Sequence, residues 1–504
     1  MTQIKGWGPF MGETVKTLSQ LGLTARAGRD AQIRGVAVDS RDVKPGYLFA
    51  ALPGTRIHGA TFIHYALSLG ATAILTDADG ARIARTELAA SRAALVIAAD
   101  PRQTLAFTAA LWFGEQPETM VAVTGTNGKT SVATFVRKIW QELDLRAVNV
   151  GTTGVEGDWQ APLRHTTPEP ITLHRLLAAA AEAGVAYGAM EASSHGLEQR
   201  RLDGVQLRAA GFTNFTQDHL DYHASFEDYF AAKAGLFARV LPEDGVAVVN
   251  IDDARGIDMA AIARARGQGL ITVGTAEGAH LCLMAQRYDA TGQEVRVRWD
   301  GRVRQMRLDL IGGFQAENVL LAAGLVIACG ADADRVFDTL PFLNTVRGRM
   351  QLAATRENGA AVYVDFAHTP DAVDKAIRAL RPHVMGRLVA IVGAGGDRDP
   401  GKRPLMGSAA MGAADQVIVT DDNPRSEDPA LIRAAVMEGA PGAMEVGDRA
   451  EAILRGVDAL GPGDALLICG KGHETGQIVG DTVFPFDDAE QASLAVSALD
   501  GNMA

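Results

Sequence analysis

The stretch that most constrains how this chain folds joins an apolar segment to a helical pattern through a short loop. Residues Met120 to Val123 are apolar and predict a buried strand, and apolar side chains recur at helical spacing after Lys129. Gly125 and Gly128 lie in the loop between them. The N–H groups of such a loop and the positive end of the helix dipole bind phosphate groups. The sequence therefore predicts a nucleotide phosphate site at the edge of an α/β sheet.

Two residues at the predicted helix start carry the chemistry of this site. A lysine at the position of Lys129 reaches the terminal phosphates, and the hydroxyl of Thr130 would bind Mg²⁺. The general pattern G-x-x-x-x-G-K-[ST] requires a glycine where this chain has Val123, so an ordinary glycine turn between a strand and a helix is the alternative. We predict ATP binding by consecutive residues of the loop and helix, namely Gly125, Thr126, Asn127, Gly128, Lys129, Thr130 and Ser131.

Composition limits the class of protein. The chain has 504 residues, too many for one hydrophobic core, so several domains are expected. Its net charge of −12 argues against a general nucleic-acid-binding protein, which would be basic. The three cysteines have no metal-like spacing, and we find no signal peptide and no uninterrupted apolar run of about 18 residues. We therefore expect a cytoplasmic protein with no membrane segment and no nucleic-acid partner.

The alternation of strand and helix patterns predicts an α/β fold with three domains. Residues 1–115 hold short apolar runs between helical stretches, which indicates a small α/β domain. Residues 116–345 contain the phosphate loop and further parallel strands, and the alternating pattern over 281–310 predicts antiparallel hairpins added to that sheet. Residues 346–504 repeat the strand–helix alternation and predict a second doubly wound, Rossmann-like parallel sheet.

Polar clusters follow most of the predicted strands, where ligands of open α/β sheets bind. Glu191 and His219 follow strands of the middle domain. A carboxylate suits a second Mg²⁺ contact beside Thr130, whereas histidine is a poorer Mg²⁺ ligand. Considered alone, each of these two residues could also be an ordinary polar residue at the end of a strand, with no ligand.

Lys233 lies on the apolar face of a predicted helix. It follows Phe226 by seven residues and shares that face with Tyr229 and Phe237. One interpretation is that its ammonium extends to solvent past the apolar side chains. The alternative is that the amine is held or modified inside a site.

The last predicted domain contains charged residues that fit an amino acid. Arg398 and Arg425 each follow a strand at a turn, and a guanidinium binds a carboxylate in a two-point fork. Asp422 and Glu474 would bind an ammonium group. An arginine with nearby acids is what a zwitterionic ligand requires, although a surface ion-pair network would give the same composition.

Together these stretches resemble the Mur ligases, ATP-dependent amide-forming enzymes of peptidoglycan synthesis, over nearly the whole chain. The phosphate loop at 124–130 is similar to the loop of that family, which accounts for its departure from the general pattern. The stretches that resemble the MurE branch are Met-Glu-Ala-Ser-Ser-His-Gly (190–196), Gln-Asp-His-Leu-Asp-Tyr-His (217–223), Ala-Ala-Lys (231–233), Gly-Gly-Asp-Arg-Asp (395–399) and Gly-Lys-Gly-His-Glu (470–474). Asp-Asn-Pro-Arg (422–425) resembles the version that selects meso-2,6-diaminopimelate.

The resemblance implies that the first domain binds a uridine nucleotide, the middle one binds ATP, and the last binds the incoming amino acid. Residues matching contacts to UDP-N-acetylmuramoyl-L-alanyl-D-glutamate are Ser40, Thr166, Thr167, Ser193, Gln199 and Arg201. Further residues matching the ATP site are Asn318, Arg349, Asp365 and His368. The diaminopimelate pocket is matched by Arg398, Asp422, Asn423, Pro424, Arg425, Gly470 and Glu474.

The resemblance also implies a metal site and a modified residue. The residues matching the Mg²⁺ site are Thr130, Glu191, His219 and Lys233, and Lys233 matches the carbamylated lysine of the family. With Lys129, the last three of these match the catalytic residues. One departure is Gln315, where the family usually has asparagine.

The implied activity is ligation of meso-diaminopimelate to the D-glutamate residue through an acyl phosphate, and we expect the enzyme to act as a monomer. Three alternatives stay open at this point: a lysine-adding homologue, a folate polyglutamate ligase and a nucleotide-dependent switch protein. Residues 422–425 argue against the first, and the matches to UDP-sugar contacts argue against the second. Polar clusters at nearly every strand end argue against a plain switch.

Overall fold

The computed structural model describes residues 14–54, 57–163, 165–216, 222–223 and 225–501. These residues form two compact units. The first unit takes the described residues of Met1–Met120, Arg146–Leu207 and Ala238–Pro242, and the second takes those of Val121–Leu145, Arg208–Phe237 and Glu243–Ala504. No described helix is both long enough and apolar enough to cross a lipid bilayer.

The helices and strands follow one another in three runs. The N-terminal run consists of β1 (Lys16–Thr17), β2 (Gln32–Ile33), β3 (Gly35–Ala37), β4 (Tyr47–Ala50), α1 (Ile63–Ser68), β5 (Ala73–Thr76), α2 (Ala78–Ile83), α3 (Arg85–Ala90), β6 (Ala94–Ile97) and α4 (Pro101–Phe113). The middle run begins with β7 (Thr119–Thr124), α5 (Lys129–Glu142), β8 (Ala147–Gly151), β9 (Gly154–Gly157), α6 (Pro170–Glu182), β10 (Tyr187–Glu191), α7 (Ser194–Glu198), β11 (Leu207–Phe212) and α8 (Phe226–Gly235).

The middle run then continues with β12 (Val246–Asn250), α9 (Ala254–Ala265), β13 (Gly269–Gly274), β14 (Leu281–Asp289), β15 (Gly292–Trp299), β16 (Arg302–Leu308), α10 (Phe314–Ala328) and α11 (Ala333–Thr339). The C-terminal run consists of β17 (Gln351–Thr355), β18 (Ala361–Asp365), α12 (Pro370–Leu380), β19 (Leu388–Val392), α13 (Lys402–Met411), β20 (Gln416–Val419), α14 (Pro429–Glu438), β21 (Met444–Glu445), α15 (Arg449–Asp458), β22 (Ala465–Cys469), β23 (Gly476–Val479), β24 (Thr482–Pro485) and α16 (Asp488–Leu499).

The first unit contains a parallel sheet in the order β3-β4-β5-β6. Its strands are apolar on both faces because a hydrophobic core packs against each side, with Leu48 and Phe49 pointing to opposite cores. The same unit holds β8, which pairs in parallel with β10 and antiparallel with β9. The predicted small N-terminal α/β domain is therefore confirmed.

The second unit places the phosphate loop beside a mixed sheet. β11, β12, β13 and β14 pair in parallel, and β14, β15 and β16 form antiparallel hairpins. The antiparallel additions predicted for 281–310 are confirmed. β7 lies beside β11, and the loop after β7 leads directly into α5.

The C-terminal sheet has the strand order β17-β18-β22-β19-β20-β21. All neighbouring strands pair in parallel except β17, which runs antiparallel to β18. The predicted parallel sheet is confirmed. The added edge strand β17 runs antiparallel because only a short turn separates it from β18, and a turn of that length joins antiparallel strands. The carboxyl ends of β18, β19, β20 and β22 meet at one edge.

Candidate active site

The loop between β7 and α5 has a backbone that only glycine adopts easily at two positions. Gly125 has φ of 143° and Gly128 has φ of 85°. A Cβ atom on Gly125 would lie 1.8 Å from the Thr213 hydroxyl oxygen, and one on Gly128 would lie 2.6 Å from Asn318 Oδ1. The loop therefore packs closely against Thr213 and Asn318 and leads directly into the N-terminus of α5, where a phosphate group would bind.

Residues after β11 hold this loop by hydrogen bonds. The Thr213 hydroxyl donates to the Asn127 carbonyl at 2.6 Å, and the Asn127 N–H donates to Asn214 Oδ1 at 3.0 Å. The Thr126 hydroxyl donates to the Thr216 carbonyl at 3.1 Å. The sequence analysis did not identify these supporting residues, although the polar run after the strand at 209–212 was the available signal.

The two residues predicted to act on phosphate and metal lie at the start of α5. Lys129 Nζ donates to the carbonyls of Gly125 and Thr126, each at 2.9 Å, so the side chain folds over the loop. Thr130 is buried, and its hydroxyl accepts a hydrogen bond from Arg349 Nη2 at 3.2 Å. Arg349, predicted from the resemblance, therefore contacts the phosphate-loop region directly.

Lys233 lies inside the protein and not at its surface. It is 1% exposed, and its Nζ donates to the Gly125 carbonyl at 2.7 Å. The amine also lies 4.4 Å from the ring centroid of Tyr229, which precedes it by one helical turn. The interpretation that its ammonium extends to solvent is wrong, because the side chain is buried between the phosphate loop and Tyr229. The amine is held beside the phosphate loop.

The N-terminus of α10 supports the same loop. Asn318 is buried, and its Nδ2 donates to Gln315 Oε1 at 3.2 Å. That hydrogen bond orients the Asn318 amide so that Oδ1 faces Gly128. Gln315, the departure from the family pattern, is therefore a partner of Asn318 and is itself 1% exposed.

The remaining predicted ATP-site residues surround Phe366. The guanidinium carbon of Arg349 lies 4.5 Å from the Phe366 ring centroid, and the ring of His368 lies 4.6 Å from it. Asp365 ends β18 and accepts a hydrogen bond from the Met350 N–H at 2.8 Å. Burial raises the pKa of Asp365, and the charge of Arg349 opposes that shift. Phe366 was not identified from sequence, although it stands between two predicted residues.

In the first unit, Glu191 is the centre of a hydrogen-bonded cluster. It ends β10 and is 2% exposed, and its carboxylate accepts bonds from the Thr152 N–H at 2.8 Å and hydroxyl at 3.2 Å. The Thr152 and Thr166 hydroxyls are 3.0 Å apart. The Thr167 hydroxyl donates to the Glu191 carbonyl at 2.9 Å and accepts from the Ser193 N–H at 3.0 Å.

Two more predicted residues join this cluster. Arg201 Nη1 donates to the Thr167 carbonyl at 2.6 Å, and its Nη2 donates to Gln199 Oε1 at 2.8 Å. Five of the residues predicted to contact the UDP-sugar dipeptide are therefore connected to one another. Ser40, the sixth, lies buried in a turn after β3 and is not one of the hydrogen-bond partners described for that cluster.

The predicted metal ligands are divided among parts of the chain. Glu191 belongs to the first unit, whereas Thr130 and Lys233 belong to the second. His219 lies outside the described residues. Among the residues that are described, no group of three or more His, Cys, Asp and Glu side chains is arranged to hold a metal ion.

A second polar cluster lies at the carboxyl edge of the C-terminal sheet. Asn423 Nδ2 donates to Glu474 Oε2 at 2.8 Å, so two predicted pocket residues from different loops touch. Arg425 follows Pro424 with a left-handed φ of 53°, and its Nη1 donates to the Gly396 carbonyl at 2.7 Å. The structure therefore joins residues from the loops after β19, β20 and β22.

The charges of this cluster suit a ligand that carries both a carboxylate and an ammonium group. Burial, and then the charge of Arg398, lower the pKa of Arg425, whereas Asp422 and Glu474 raise it. Neither arginine forms an ion pair with a carboxylate in the described part of the chain, so a surface ion-pair network does not account for them. An incoming carboxylate would offset the repulsion between the two guanidinium groups.

Lys471 is the residue of this cluster that the sequence analysis missed. It is fully buried, and its Nζ donates to Asn423 Oδ1 at 3.2 Å, Glu474 Oε2 at 3.3 Å and the Gly476 carbonyl at 2.5 Å. Its place between two glycines, directly after a buried strand, was the signal that could have identified it. Lys471 orients two of the predicted pocket residues at once.

Comparisons with known proteins identify the family of this chain. Three family models match the chain: the Mur ligase family catalytic domain over residues 32–112, the Mur ligase middle domain over 123–326, and the Mur ligase glutamate ligase domain over 348–472. The UDP-N-acetylmuramoyl-L-alanyl-D-glutamate–2,6-diaminopimelate ligase of Caulobacter vibrioides is 48% identical, covering 94% of this chain and 97% of the relative. The ligase of the same name from Agrobacterium fabrum is 46% identical, covering 94% of each chain.

Solved structures of Mur ligases have a similar fold. The structure of a ligase of that name is 33% identical and superposes with a TM-score of 0.69, covering 96% of this chain and 99% of the other. MurF ligase from Thermotoga maritima in complex with ADP is 18% identical with a TM-score of 0.59, covering 87% of this chain and 94% of the other, and shares the fold. With its three matched domains and relatives near half identity, this chain belongs to the Mur ligase family.

Proposed function

We propose that this protein joins meso-2,6-diaminopimelate to the D-glutamate of UDP-N-acetylmuramoyl-L-alanyl-D-glutamate, using ATP, in the synthesis of peptidoglycan precursors. The observation that carries the proposal is the C-terminal cluster, where Arg398 and Arg425 lie with Asp422 and Glu474. The names of relatives at 46–48% identity support it. Because the proposed substrates are ATP and a nucleotide sugar, the reaction belongs in the cytoplasm.

The proposal assigns one ligand to each domain. Residues 1–115 bind the uridine nucleotide, with Ser40 as a contact, and residues 116–345 bind ATP and the dipeptide end of the sugar nucleotide. Residues 346–504 bind the amino acid. The cluster around Glu191, Thr167 and Arg201 supports the dipeptide assignment, since its hydroxyl, amide and guanidinium groups are suited to a polar, anionic ligand.

The first step activates a carboxylate that would otherwise not react with an amine. An oxygen of the D-glutamate side chain attacks the γ-phosphorus of ATP, the bond to the β-phosphate oxygen breaks, and an acyl phosphate and ADP form. Two anions must meet, so Lys129 and the N-terminus of α5 offset their repulsion and hold the in-line geometry. The backbone at Gly125 and Gly128, which has positive φ at both residues, gives the loop its shape at the α5 N-terminus.

Mg²⁺ fits the chemistry of the residues that match the metal site of the family. The Thr130 hydroxyl is buried at the start of α5, and Glu191 is a buried carboxylate of the kind that Mg²⁺ binds. We assign Thr130, Glu191, His219 and Lys233 to the metal site, with Lys233 as a carbamate. Carbamylation would exchange the cation for an anionic oxygen ligand, which is the kind of ligand that Mg²⁺ prefers. The bound metal would neutralise negative charge on the phosphates.

The second step forms the amide bond. The neutral amine of the amino acid attacks the acyl carbon, a tetrahedral intermediate forms, the bond to the phosphate oxygen breaks, and the nitrogen loses a proton. Acyl phosphates react with water, so the pocket must exclude it while the amine is held close. Holding the two reactants together is worth roughly 7–11 kcal/mol in favourable cases.

Phosphate release tests the proposal. ATP, Mg²⁺ and the UDP-sugar dipeptide are incubated with the protein, and meso-diaminopimelate or L-lysine is added in parallel. We expect rapid phosphate release with diaminopimelate and little with lysine. Equal or faster release with lysine would keep the ligase but refute the assigned amino acid. Absence of release with either, in protein that still binds ATP, would refute the ligase assignment.

A further inference from the structure

Beneath the C-terminal cluster lies an ion pair that is completely removed from solvent. Arg449 begins α15 and Asp488 begins α16, and both side chains are 0% exposed. The guanidinium donates from Nε to Asp488 Oδ1 and from Nη2 to Asp488 Oδ2, each at 2.7 Å. Neither residue belongs to the motifs that the sequence analysis assigned to a ligand. A buried pair of this kind is weak evidence for added stability, so its placement needs another reason.

The same guanidinium is bonded to the ends of two strands. Its Nη2 donates to the Cys469 carbonyl at 2.9 Å, and its Nη1 donates to the Asp421 carbonyl at 3.2 Å. Cys469 ends β22, and Asp421 follows β20 by two residues. These strands are not neighbours, because β19 lies between them in the sheet. One side chain therefore fixes the separation of two loops across a third strand.

Both carbonyls stand immediately before residues of the proposed amino-acid pocket. Asp421 precedes Asp422, and Cys469 precedes Gly470. A Cβ atom on Gly470 would lie 2.3 Å from Asp422 Oδ2 and 3.8 Å from Arg449 Nη2, so the two loops meet directly above the guanidinium. Any change in the separation of the strand ends would move the Asp422 carboxylate.

The charge of Arg449 also acts on the pocket. Burial alone lowers the pKa of Arg449, but the carboxylate of Asp488 and then that of Asp422 raise it above its ordinary value. The guanidinium thus faces two buried carboxylates, one behind the pocket and one in it. The attraction between Arg449 and Asp422 helps to hold the Asp422 side chain in place.

We infer that Arg449, held by Asp488, is a positioning residue for the amino-acid pocket: it sets the distance between the loops of Asp422 and Gly470. The inference rests on the proposed function for the identity of the ligand. Its geometric part, the fixing of two loops, applies whatever the ligand is.

The chain provides a control at the opposite end of β22, which is one of the two strands that Arg449 joins. Arg387 precedes β19 and Asp464 precedes β22, and Arg387 Nη2 donates to Asp464 Oδ2 at 2.8 Å. Arg387 Nη2 also donates to the Ala459 carbonyl at 2.8 Å. This pair ties strand starts together, as the Arg449 pair ties strand ends, but it lies at the edge away from the pocket.

The test compares the full-length double variants Arg449→Met/Asp488→Asn and Arg387→Met/Asp464→Asn. Each removes both members of an ion pair, so neither Asp488 nor Asp464 is left as a carboxylate without its arginine. We expect the Arg449 variant to raise the KM for meso-diaminopimelate about tenfold or more, with the KM for ATP within about twofold of the parent, because a buried hydrogen-bonded support has been lost. The control variant should leave both KM values within about twofold. An equal rise for both substrates, or an equal effect of the control, would overturn the inference.

Amide hydrogen exchange without any ligand gives a second readout. Exchange at residues 420–425 and 469–474 should rise in the Arg449 variant and not in the control. If the double variant does not fold, Asp488→Asn alone serves, since it removes the carboxylate that orients the guanidinium. Unchanged exchange in both loops would overturn the inference. The parent protein could fail to use diaminopimelate while exchange still rises in the Arg449 variant and not in the control. That result would refute the proposed function and support the positioning role.

Discussion

The phosphate loop and the C-terminal pocket are built in different ways. The loop is shaped mainly by its backbone: Gly125 and Gly128 take positive φ values, and Lys129 and Lys233 both donate to the Gly125 carbonyl. The pocket is shaped by side chains that contact one another across three loops, with Lys471 bonded to both Asn423 and Glu474. A backbone site is encoded within a few consecutive residues, whereas a side-chain site depends on residues far apart in the sequence.

This difference predicts how each site fails. A change of backbone shape in the phosphate loop should affect ATP and everything after it, because both steps of the reaction need the phosphates in place. A change in the pocket network should affect the amino acid and leave ATP binding alone. Substitutions in the two regions can therefore be compared by the KM that each one moves.

The largest effect is expected for Gly125→Ala. A methyl group there would meet the Thr213 hydroxyl at 1.8 Å, and φ of 143° is strained for alanine. Because the loop must shift, kcat/KM for ATP should fall about 100-fold or more. Gly359→Ala is the control, since its φ is also positive at 85° but no atom lies within 4 Å of the added methyl. Steady-state phosphate release measures both variants, and an equal loss in both would contradict the argument.

A smaller and more selective effect is expected for Lys471→Met. The substitution removes three hydrogen bonds and leaves Glu474 without its buried cation. The KM for meso-diaminopimelate should rise about 10- to 100-fold, since hydrogen bonds to charged groups contribute that much. The KM for ATP should stay within about twofold. Lys375→Met, which removes a half-exposed lysine from α12, is the control. A rise in the KM for ATP of similar size would show that the two sites are not separate.

Arg425→Ala should change selectivity more than rate. Diaminopimelate has one carboxylate more than lysine, and a guanidinium offers that group a two-point partner. We expect the preference for diaminopimelate over lysine, as a ratio of kcat/KM values, to fall about tenfold or more while ATP binding is retained. Arg455→Ala, at an exposed ion pair on α15, is the control. An unchanged preference in the Arg425 variant would remove this residue from the account of specificity.

The contrast between the two regions also explains what could be predicted from sequence. The strands over 246–250, 388–392, 416–419 and 465–469 end where their apolar runs end, because buried parallel strands are continuous apolar segments. The phosphate loop was predicted for the same reason, since its glycines and Lys129 are consecutive. The edge strand β17 was not predicted, because its burial alternates weakly and nothing in its composition fixes its direction.

The supporting residues could not be found by the same reasoning. Lys471 and Arg449 are charged residues in the interior, and a charged residue in a sequence is by default assigned to the surface. Their burial depends on partners 48 and 39 residues away, Asn423 and Asp488. No local pattern contains that information, so ligand contacts could be predicted from the sequence and the residues that hold them could not.

His383 connects the C-terminal run to the middle run of the chain and gives a pH-dependent test. Its Nε2 accepts a hydrogen bond from the Gly312 N–H at 3.1 Å, so Nδ1 carries the proton and donates to the Asp289 carbonyl at 2.6 Å. Burial lowers the pKa of His383, with Asp289 opposing that shift. The unfolded chain therefore takes up a proton first as pH falls below about 6.5, and stability is lost from that pH downward.

His383→Gln should make the unfolding free energy fall less steeply with decreasing pH than in the parent protein. Glutamine can donate and accept hydrogen bonds but does not titrate. His174, whose pKa burial lowers to about 4, gives a dependence of the same sign and is present in both proteins, so the difference isolates His383. Urea unfolding at pH 7.5 and pH 5 measures it. Parallel pH dependence in the two proteins would show that His383 is not the linked group.

The smallest effect is expected for Gln315→Asn, which restores the residue usual in the family. The shorter side chain would no longer reach Asn318, whose Nδ2 now donates to Gln315 Oε1 at 3.2 Å, and Oδ1 of Asn318 faces Gly128. Loss of one neutral hydrogen bond costs about 0.5–1.5 kcal/mol, so the KM for ATP should change by no more than about tenfold and the KM for diaminopimelate should not change. Gln315→Leu, which removes the acceptor while keeping the volume, should change the KM for ATP at least as much. If the leucine variant leaves ATP unaffected, the phosphate loop depends on its own backbone alone, and the contrast with the side-chain pocket becomes sharper still.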